Sequence, residues 1–254
     1  MKLSILAIVA LIAPMCPAAT IFEDIVVRNY PLDPNATISV TNRDGAIWIY
    51  GANTSEAKIQ AIKRAYTQER LDKIDIDIST TPQQLSIETK YPPASGWSFG
   101  DRSGTVDYVI VVPWTCKIER ADLANGEVLI ESMRGTARAN LSNGRMFVHN
   151  CFGNVHAHVA NGGVDVGFEW WEPQPFTIDA EIVNGNAHAY IPGDAALHMI
   201  ASSLNGHVFS DFVDKQNRQP GGVRKIDMIV SGPSPAELKL SAINGSIKVV
   251  EAKY

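Results

Sequence analysis

The chain has 254 residues, of which 45% are apolar, and a formal net charge of −5. This length and composition allow a sizeable buried core and argue against wholesale disorder. The mildly acidic balance, with Lys and Arg scattered along the chain, excludes a strongly basic nucleic-acid-binding surface.

The first residues predict an export signal. Lys2 precedes an uncharged apolar run over Leu3–Ile12, and Ala18 and Ala19 are small residues of the kind signal peptidase cleaves after. We therefore assign residues 1–19 to a signal peptide and residues 20–254 to a single β-strand-repeat domain in the periplasm or outside the cell. The apolar run is too short to span a bilayer stably, and no second such run follows, so no integral membrane segment is expected after cleavage.

Cys16 raises the question of a lipid anchor. Pro14 and Met15 precede it, whereas a lipidation motif has small residues just before the cysteine. The favoured interpretation is therefore cleavage without lipidation.

The N-terminal third predicts loosely spaced β-strands. A degenerate repeat unit surrounds Asp44-Gly45, and Lys73–Ser79 alternates strictly between polar and apolar residues, as a half-buried strand does. The strands expected here are Ala57–Tyr66, Ile74–Ser79, Leu85–Tyr91 and Val106–Val112.

From residue 121 onward, one unit repeats around an Asn-Gly pair. The pairs begin at Asn125, Asn143, Asn161, Asn184, Asn205 and Asn244, at intervals of 18, 18, 23, 21 and 39 residues, the last being close to two periods. Mostly apolar residues recur two and four residues before each Asn and three and five residues after it, which is the period-2 pattern of a strand with one buried face. Each unit is thus predicted to be a strand, a bend at Asn-Gly and a second strand.

Two architectures fit this repeat. In a β-solenoid, each unit is one coil, and equivalent residues stack in parallel columns; in an antiparallel meander or sandwich, each Asn-Gly is a hairpin turn. Stacking explains why whole units resemble one another, because each coil must fit the same neighbours, and stacked Asn side chains can bond along a ladder. The prediction is an all-β, single-domain β-solenoid, with the meander as the alternative.

The units resemble a bacterial "putative adhesin" family of β-strand repeats. The shared features are the opening Asp44–Gly51, the Val-Pro end of the strand Val106–Pro113, the successive Asn-Gly-x-Val-x-Val units, Ile191–Asp194, and the closing Ile243–Val249. The resemblance implies export and a β-solenoid, and it supplies no catalytic residues. The chain departs from the pattern in a Trp-rich loop after Gly167 and in the unit Ser203–Ser210, where Ser replaces two core residues.

One outward column of the predicted stack is rich in large apolar side chains. It lies four residues after each repeat Asn and contains Leu129, Phe147, Asp165, His188, Phe209 and Lys248, with Trp48 in the degenerate unit. Trp48, Leu129, Phe147 and Phe209 are the candidate interaction stripe, for an unknown protein or a glycan. The alternative is that a loop, such as the one carrying Trp170 and Trp171, covers the column.

Two histidines and two carboxylates are expected to form a square on adjacent coils. His156 and His158 occupy the positions that Asp179 and Glu181 hold in the next coil, which gives edges of about 5 to 7 Å. Such a set can hold Zn²⁺, but solvated cross-strand ion pairs are the simpler interpretation, so no metal site and no cofactor is assigned.

The thiols of Cys116 and Cys151 are predicted to be free and mainly buried. The 18-residue period places them two coils apart, about 9–10 Å, and a disulfide needs Cα atoms within about 7 Å.

No catalytic motif is present: no phosphate loop, nucleophile elbow or glycosidase carboxylate pair can be assigned. The sequence therefore predicts a non-enzymatic envelope or secreted protein that presents a rigid solenoid surface, adhesin-like in function. A polysaccharide-active β-helical enzyme and a purely structural scaffold are the alternatives. Unpaired strands at the ends of the stack also allow a homodimer through the solenoid edges.

Overall fold

The computed structural model describes residues 21–92, 104–213 and 223–252. The predicted signal peptide, Cys16 included, lies outside the described residues. The strands are β1 (Phe22–Pro31), β2 (Thr37–Ala52), β3 (Glu56–Ala65), β4 (Asp75–Thr81), β5 (Gln84–Lys90), β6 (Thr105–Pro113), β7 (Lys117–Glu131), β8 (Ala137–His149), β9 (Val155–Gly167), β10 (Phe176–Pro192), β11 (Leu197–Asn205), β12 (Val208–Ser210), β13 (Lys225–Val230), β14 (Ala236–Asn244) and β15 (Ile247–Ala252). A five-residue helix, α1 (Gln68–Asp72), is N-capped by Thr67 and was not predicted. The predicted all-β fold class is confirmed.

The Asn-Gly units pair with one another in parallel and in register. Asn125 on β7 lies opposite Asn143 on β8, which lies opposite Asn161 on β9, which lies opposite Asn184 on β10. The predicted parallel stacking of these units is confirmed. The antiparallel meander is wrong for this part of the sheet, because hairpin turns at Asn-Gly would have made the paired strands antiparallel.

The bend in each unit is held by a ladder of side-chain amides. Every Asn side-chain amide donates to the side-chain oxygen of its stacked neighbour over 2.8 to 3.1 Å, and the ladder ends on Asp44 of β2. Its members are Asp44, Asn125, Asn143, Asn161, Asn184, Asn244 and Asn205. Stacked carboxamides of this kind satisfy one another only when the strands are in register.

Inward side chains before and after each bend belong to one continuous apolar core. Ile130, Val148 and Val166 form one column of this core, and none of the three is exposed to solvent. Ala139 and Ala157, which precede their bends, are also fully buried in the same cluster. The sheet therefore bends at Asn-Gly so that both halves of a unit face the same interior.

The order of the last two units differs from their order in the chain. The sequence led us to expect the unit of Asn205 next to that of Asn184, with Asn244 beyond it. Instead, β14 pairs with β10 on one side and β11 on the other, so that Asn244 lies between Asn184 and Asn205.

The two units differ in how apolar their core positions are. The unit of Asn205 carries Ser203 and Ser210 at core positions, and the Ser203 hydroxyl donates to the carbonyl of Gly245. The unit of Asn244 offers Leu240, Ala242 and Val249 instead. The more apolar unit lies between two parallel units, and the serine-bearing unit lies toward the end of the stack, between β14 and the antiparallel β13.

Antiparallel strands flank the parallel stack. β5 and β6 both pair in parallel with β2, on the side away from β7, and β3 and β1 follow β6 in antiparallel pairing. β4 pairs with β5, and β13 pairs with β11, also antiparallel. The result is one large mixed sheet that does not close on itself, with β1 and β13 at the two ends of its main path.

Candidate functional site

Three members of the predicted interaction stripe lie side by side on the outer face. Trp48 on β2 is opposite Leu129 on β7, and Leu129 is opposite Phe147 on β8. Val109 on β6 extends the row beyond Trp48. All four side chains are partly exposed. They form a continuous apolar row across four strands.

Phe209, the fourth predicted member, is separated from this row. Asp165 and His188 stand between Phe147 and Phe209, as in the predicted column, and the insertion of the unit of Asn244 adds Lys248 to them. Phe209 is 45% exposed and contacts the ring of His207. The stripe therefore consists of Val109, Trp48, Leu129 and Phe147, with Phe209 as an isolated aromatic side chain.

A groove opens where the apolar row ends. Its floor is the outward face of β9, to which Asp165 and Gly167 contribute. A Cβ on Gly167 would lie 3.1 Å from the ring of His149, so the absence of a side chain there lets that ring approach β9. The groove has a volume of about 380 Å³.

The walls of the groove are aromatic and basic. β8 contributes Arg145, Phe147 and His149 on one side, while β10 contributes His188 and Tyr190 on the other. Phe147 and His149 meet edge to face with ring centroids 5.7 Å apart, and the guanidinium of Arg145 lies 5.8 Å from the centroid of the Phe147 ring. Tyr190 is 40% exposed.

Asp165 is the central polar group of the groove. Its side chain is only 9% exposed, its Oδ1 lies 2.9 Å from Nδ1 of His188, and its Oδ2 lies 3.9 Å from Nε of Arg145. A buried carboxylate needs partners of this kind to offset its lost hydration. Because the contact with Arg145 is too long for a hydrogen bond, Oδ2 has the capacity to accept one from a ligand.

Carboxylates border the apolar row on its other side. The indole Nε1 of Trp48 donates to Oε1 of Glu127 over 2.8 Å. Burial raises the pKa of Tyr50, and the nearby Glu131 and Glu127 raise it further. The outer face thus changes from acidic near Glu127 to mixed basic and acidic near Asp165.

The Trp-rich loop packs elsewhere. Trp171 contacts the rings of Phe152, Phe168 and Phe176 in a buried aromatic cluster, and Trp170 contacts Phe152. Among the described residues, neither Trp170 nor Trp171 lines the groove at Asp165; from this part of the chain, Phe168 and Glu169 form one end of it. The alternative, in which Trp170 and Trp171 cover the column, does not describe the Asp165 region.

The predicted square of histidines and carboxylates resolves into two separate pairs. Nδ1 of His156 lies 3.5 Å from Oδ2 of Asp179, and Nδ1 of His158 lies 3.5 Å from Oε2 of Glu181. No group of three or more His, Cys, Asp or Glu side chains within residues 21–92, 104–213 and 223–252 is arranged to hold a metal ion. The register was predicted correctly, and each histidine contacts the carboxylate opposite it on the neighbouring strand.

The two cysteines are free and buried, as predicted. Burial raises the pKa of the Cys116 thiol to about 11 and that of the Cys151 thiol to about 12.

Sequence reasoning placed Asp165 and His188 in the outward column but did not identify the groove. Part of its signal was present in the spacing: Gly167 occupies the outward position two residues after Asp165. An outward glycine beside a polar residue indicates a depression in a stacked sheet, provided that the neighbouring strands carry large side chains at the same positions.

Comparisons with known proteins place the fold. The sequence matches no protein-family profile and no curated protein. In structure, the chain is similar to a "putative cell adhesion protein" from Clostridium sporogenes, with a TM-score of 0.53 and 13% identity over 90% of this chain and 100% of that one. It is also similar to a "putative adhesin" from Bacteroides fragilis, with a TM-score of 0.39 and 8% identity over 89% and 97% of the two chains.

A third similar structure is a "putative lipid binding protein" from Parabacteroides distasonis, with a TM-score of 0.29 and 10% identity over 91% and 97% of the two chains. Within the described ranges, no helix has the length and apolar character needed to cross a membrane. The first comparison shows that the chain shares the fold of the Clostridium protein.

Proposed function

We propose that the chain is an exported, non-enzymatic, adhesin-like protein, built as a β-solenoid, whose outer face binds a carbohydrate chain in the groove at Asp165. The in-register parallel units and their asparagine ladder support the solenoid. A stack of this kind is rigid, and a rigid outer face suits recognition of an extended ligand because little order is lost on binding.

The observation that carries the proposal is the position of Asp165 and Gly167 between two walls with aromatic side chains. Sugar rings present C–H faces that pack on aromatic rings and hydroxyls that bond to carboxylates and basic side chains. Phe147 and Tyr190 provide the aromatic surfaces on opposite walls, and Asp165 with Arg145 provides an acceptor and a donor between them. The combination of apolar walls and a few convergent polar groups is typical of a ligand site.

A polysaccharide-cleaving enzyme is the second candidate. Asp165 and Glu169 both line the groove, and two carboxyl groups flanking a bound sugar are the usual requirement for glycoside hydrolysis. Asp165 is, however, paired with His188, which favours a binding role for this carboxylate.

The test is binding to an array of microbial and host polysaccharides, followed by calorimetry with the ligand that binds best. Asp165→Asn removes a charged acceptor and is expected to weaken binding by about 10- to 100-fold, since hydrogen bonds to charged groups contribute about 1.5–3 kcal/mol. Phe147→Ala removes an aromatic surface and is expected to weaken binding by roughly 3- to 10-fold.

Phe209→Ala is the matched control, because Phe209 occupies the same column outside the groove and is exposed. The affinity of the Phe209→Ala variant for the polysaccharide should equal that of the unaltered protein. Tyr190→Ala supplies a second groove variant at an exposed position. Release of reducing ends during the incubation would favour the enzyme. Absence of any polysaccharide ligand, or equal affinity in all variants, would overturn carbohydrate binding at this groove.

A further inference from the structure

Within residues 21–92, 104–213 and 223–252, strand β1 presents an open edge. Its ten residues pair with β3 on one side, and β1 ends the sheet order. Two apolar side chains of β1 are well exposed, Ile25 at 51% and Val27 at 47%, as is Ile21, which precedes the strand, at 58%. An edge strand of this length with exposed apolar side chains is a template for pairing with another strand.

Two other edge strands, β4 and β13, are shorter than β1. β4 carries Asp75 and Asp77 on the same exposed face, and charges of one sign on one face repel a second copy of that strand. β13 has six residues and carries Lys225 and Asp227. Natural proteins protect edges by shortness and by charge. β1 also carries the charged residues Glu23, Asp24 and Arg28, but it is ten residues long and its charges are of both signs, so they do not exclude a second copy of the same strand.

The sequence of β1 is complementary to itself when the strand is turned around. If two copies pair antiparallel about Val26, Asp24 of one copy lies opposite Arg28 of the other. The same register puts Ile25 opposite Val27. It also sets the aromatic rings of Phe22 and Tyr30 opposite each other. Opposite charges, apolar pairs and aromatic pairs are the cross-strand contacts that stabilise sheets.

Neighbouring registers lose this match. Side chains that lie opposite each other in an antiparallel pair must be on the same face of the sheet. A change to the next allowed register therefore moves the partner of every residue by two positions. Pairing about Ile25 puts Asp24 opposite Val26, and pairing about Val27 puts Arg28 opposite Val26. Only the register centred on Val26 brings Asp24 and Arg28 together.

Both charged side chains are accessible for this contact. The Asp24 carboxylate is 48% exposed although it accepts a contact from Nζ of Lys63 at 2.8 Å. Arg28 is exposed, and its Nη1 donates to the carbonyl of Val27. Each symmetric dimer would contain the Asp24–Arg28 contact twice.

We propose that this protein forms a two-fold symmetric homodimer by antiparallel pairing of β1 with β1 of a second copy, with the two-fold axis at Val26. The two sheets become one, and the unpaired edge disappears from each. The dimer has two copies of the outer face. A ligand that is repeated on a surface can therefore be bound at two points, which increases the avidity.

Cysteine cross-linking tests the register. In Val26→Cys the two new thiols face each other across the axis at a Cα separation of about 4.5–5.5 Å, which a disulfide accepts. Ile25→Cys and Val27→Cys report the two adjacent registers, and Asn29→Cys is the exposed control that lies far from its counterpart. The native Cys116 and Cys151 are buried and do not compete. On mild oxidation, covalent dimer is expected chiefly from Val26→Cys.

Charge reversal tests the contact itself by sedimentation equilibrium of the mature protein. Asp24→Arg and Arg28→Asp each bring like charges together twice, and each should raise the dimer dissociation constant by about tenfold or more. The double variant should recover the dissociation constant of the unaltered dimer, because opposite charges again face each other. The ion pair between residue 24 and Lys63 remains lost in that variant. Thermal unfolding of each variant verifies the monomer fold.

A protein that remains monomeric throughout the micromolar range would overturn the proposal. The proposal would also be overturned by a dimer that cross-links best at another position, or by a dissociation constant that neither charge reversal changes. Carbohydrate binding to the monomer would be unaffected by any of these results, so this proposal and the proposed function fail separately.

Discussion

The side-chain amide of Asn161 donates a hydrogen bond to the side-chain oxygen of Asn143 over 3.1 Å, across one full repeat of the chain. Asn161 also accepts a hydrogen bond from the side chain of Asn184. Each interior asparagine of the ladder thus takes part in two such bonds, and this relationship makes the contribution of the ladder measurable one position at a time.

Replacing Asn161 by Ala is expected to lower the free energy of unfolding by about 2 kcal/mol, because two hydrogen bonds of about 1 kcal/mol each are lost. Asn205→Ala, near the end of the ladder, removes its donation to Asn244 and should lower the free energy by about 1 kcal/mol. Urea unfolding followed by circular dichroism gives both values. Equal effects at the two positions would show that the ladder does not act through paired bonds.

Replacing Gly144 by Ala is expected to be severely destabilising. Gly144 has φ +139°, and a Cβ there would lie 1.8 Å from the carbonyl oxygen of Gly126 on the neighbouring strand. Since the atoms in the way belong to the backbone, the strands would have to separate, with a loss of roughly 3 kcal/mol or more. Reduced yield of folded protein and a lower urea midpoint measure the effect.

Gly232→Ala separates backbone strain from this collision. Gly232 also has a positive φ, +117°, but no atom of the described residues lies within 4 Å of the point that an alanine Cβ would occupy. Its replacement should therefore lower stability by about 1–2 kcal/mol, from the left-handed backbone alone. Similar losses at Gly144 and Gly232 would contradict the close approach of the stacked bends.

The two thiols are expected to resist alkylation in the folded protein. With pKa values of about 11 for Cys116 and about 12 for Cys151, very little thiolate exists at pH 8, and both side chains are buried. Mass spectrometry after iodoacetamide treatment should show no adduct under native conditions and adducts on both after denaturation. The denatured result should be identical with and without prior reduction, and a difference would reveal a disulfide.

Stability is expected to fall at high pH through Tyr108. Burial raises the pKa of its phenol from 10.0 to about 12, so the folded state favours the protonated form. The contribution is fully present below pH 10 and is lost as the pH rises from 10 towards 12, because the unfolded chain releases that proton more readily. Unfolding free energies measured across this range should decline.

The control for this pH dependence is Tyr108→Phe. The hydroxyl of Tyr108 hydrogen-bonds with Oγ1 of Thr89 at 2.6 Å, so the free energy of unfolding of the variant should be lower by about 1 kcal/mol at neutral pH. Because the variant has no phenol at this position, its decline above pH 10 should be shallower. Tyr91, whose pKa is also raised by burial, accounts for part of the remainder.

The sequence predicted the parallel stack because the same residue types recur at the same offsets from Asn125, Asn143 and Asn161. Local periodicity of this kind records which face is buried and which position bends. It does not record neighbours that are distant in the chain. The placement of Asn244 between Asn184 and Asn205 depends on which unit packs best inside the stack, and the serines at 203 and 210 are the only trace of that competition in the sequence.

The candidate site was predictable in part for the same reason. Trp48, Leu129 and Phe147 were placed correctly in one row, since they share an offset from the bend. Phe209 shares the offset too, yet its distance from Phe147 depends on the order of the last units. The groove itself depends on the side chains of three strands together, and no single repeat unit contains that information.

The insertion of β14 and β15 also constrains the order of events during folding. Residues 236–252 supply the rung that joins the strands on either side of it, so the stack cannot grow as a zipper from one end to the other. Until those residues are synthesised, β11 has no parallel neighbour, and the asparagine ladder is broken between Asn184 and Asn205. The stack is therefore completed only when the C-terminal residues 236–252 are available, so a chain shortened from that end would lose the continuity of the whole ladder beyond Asn184.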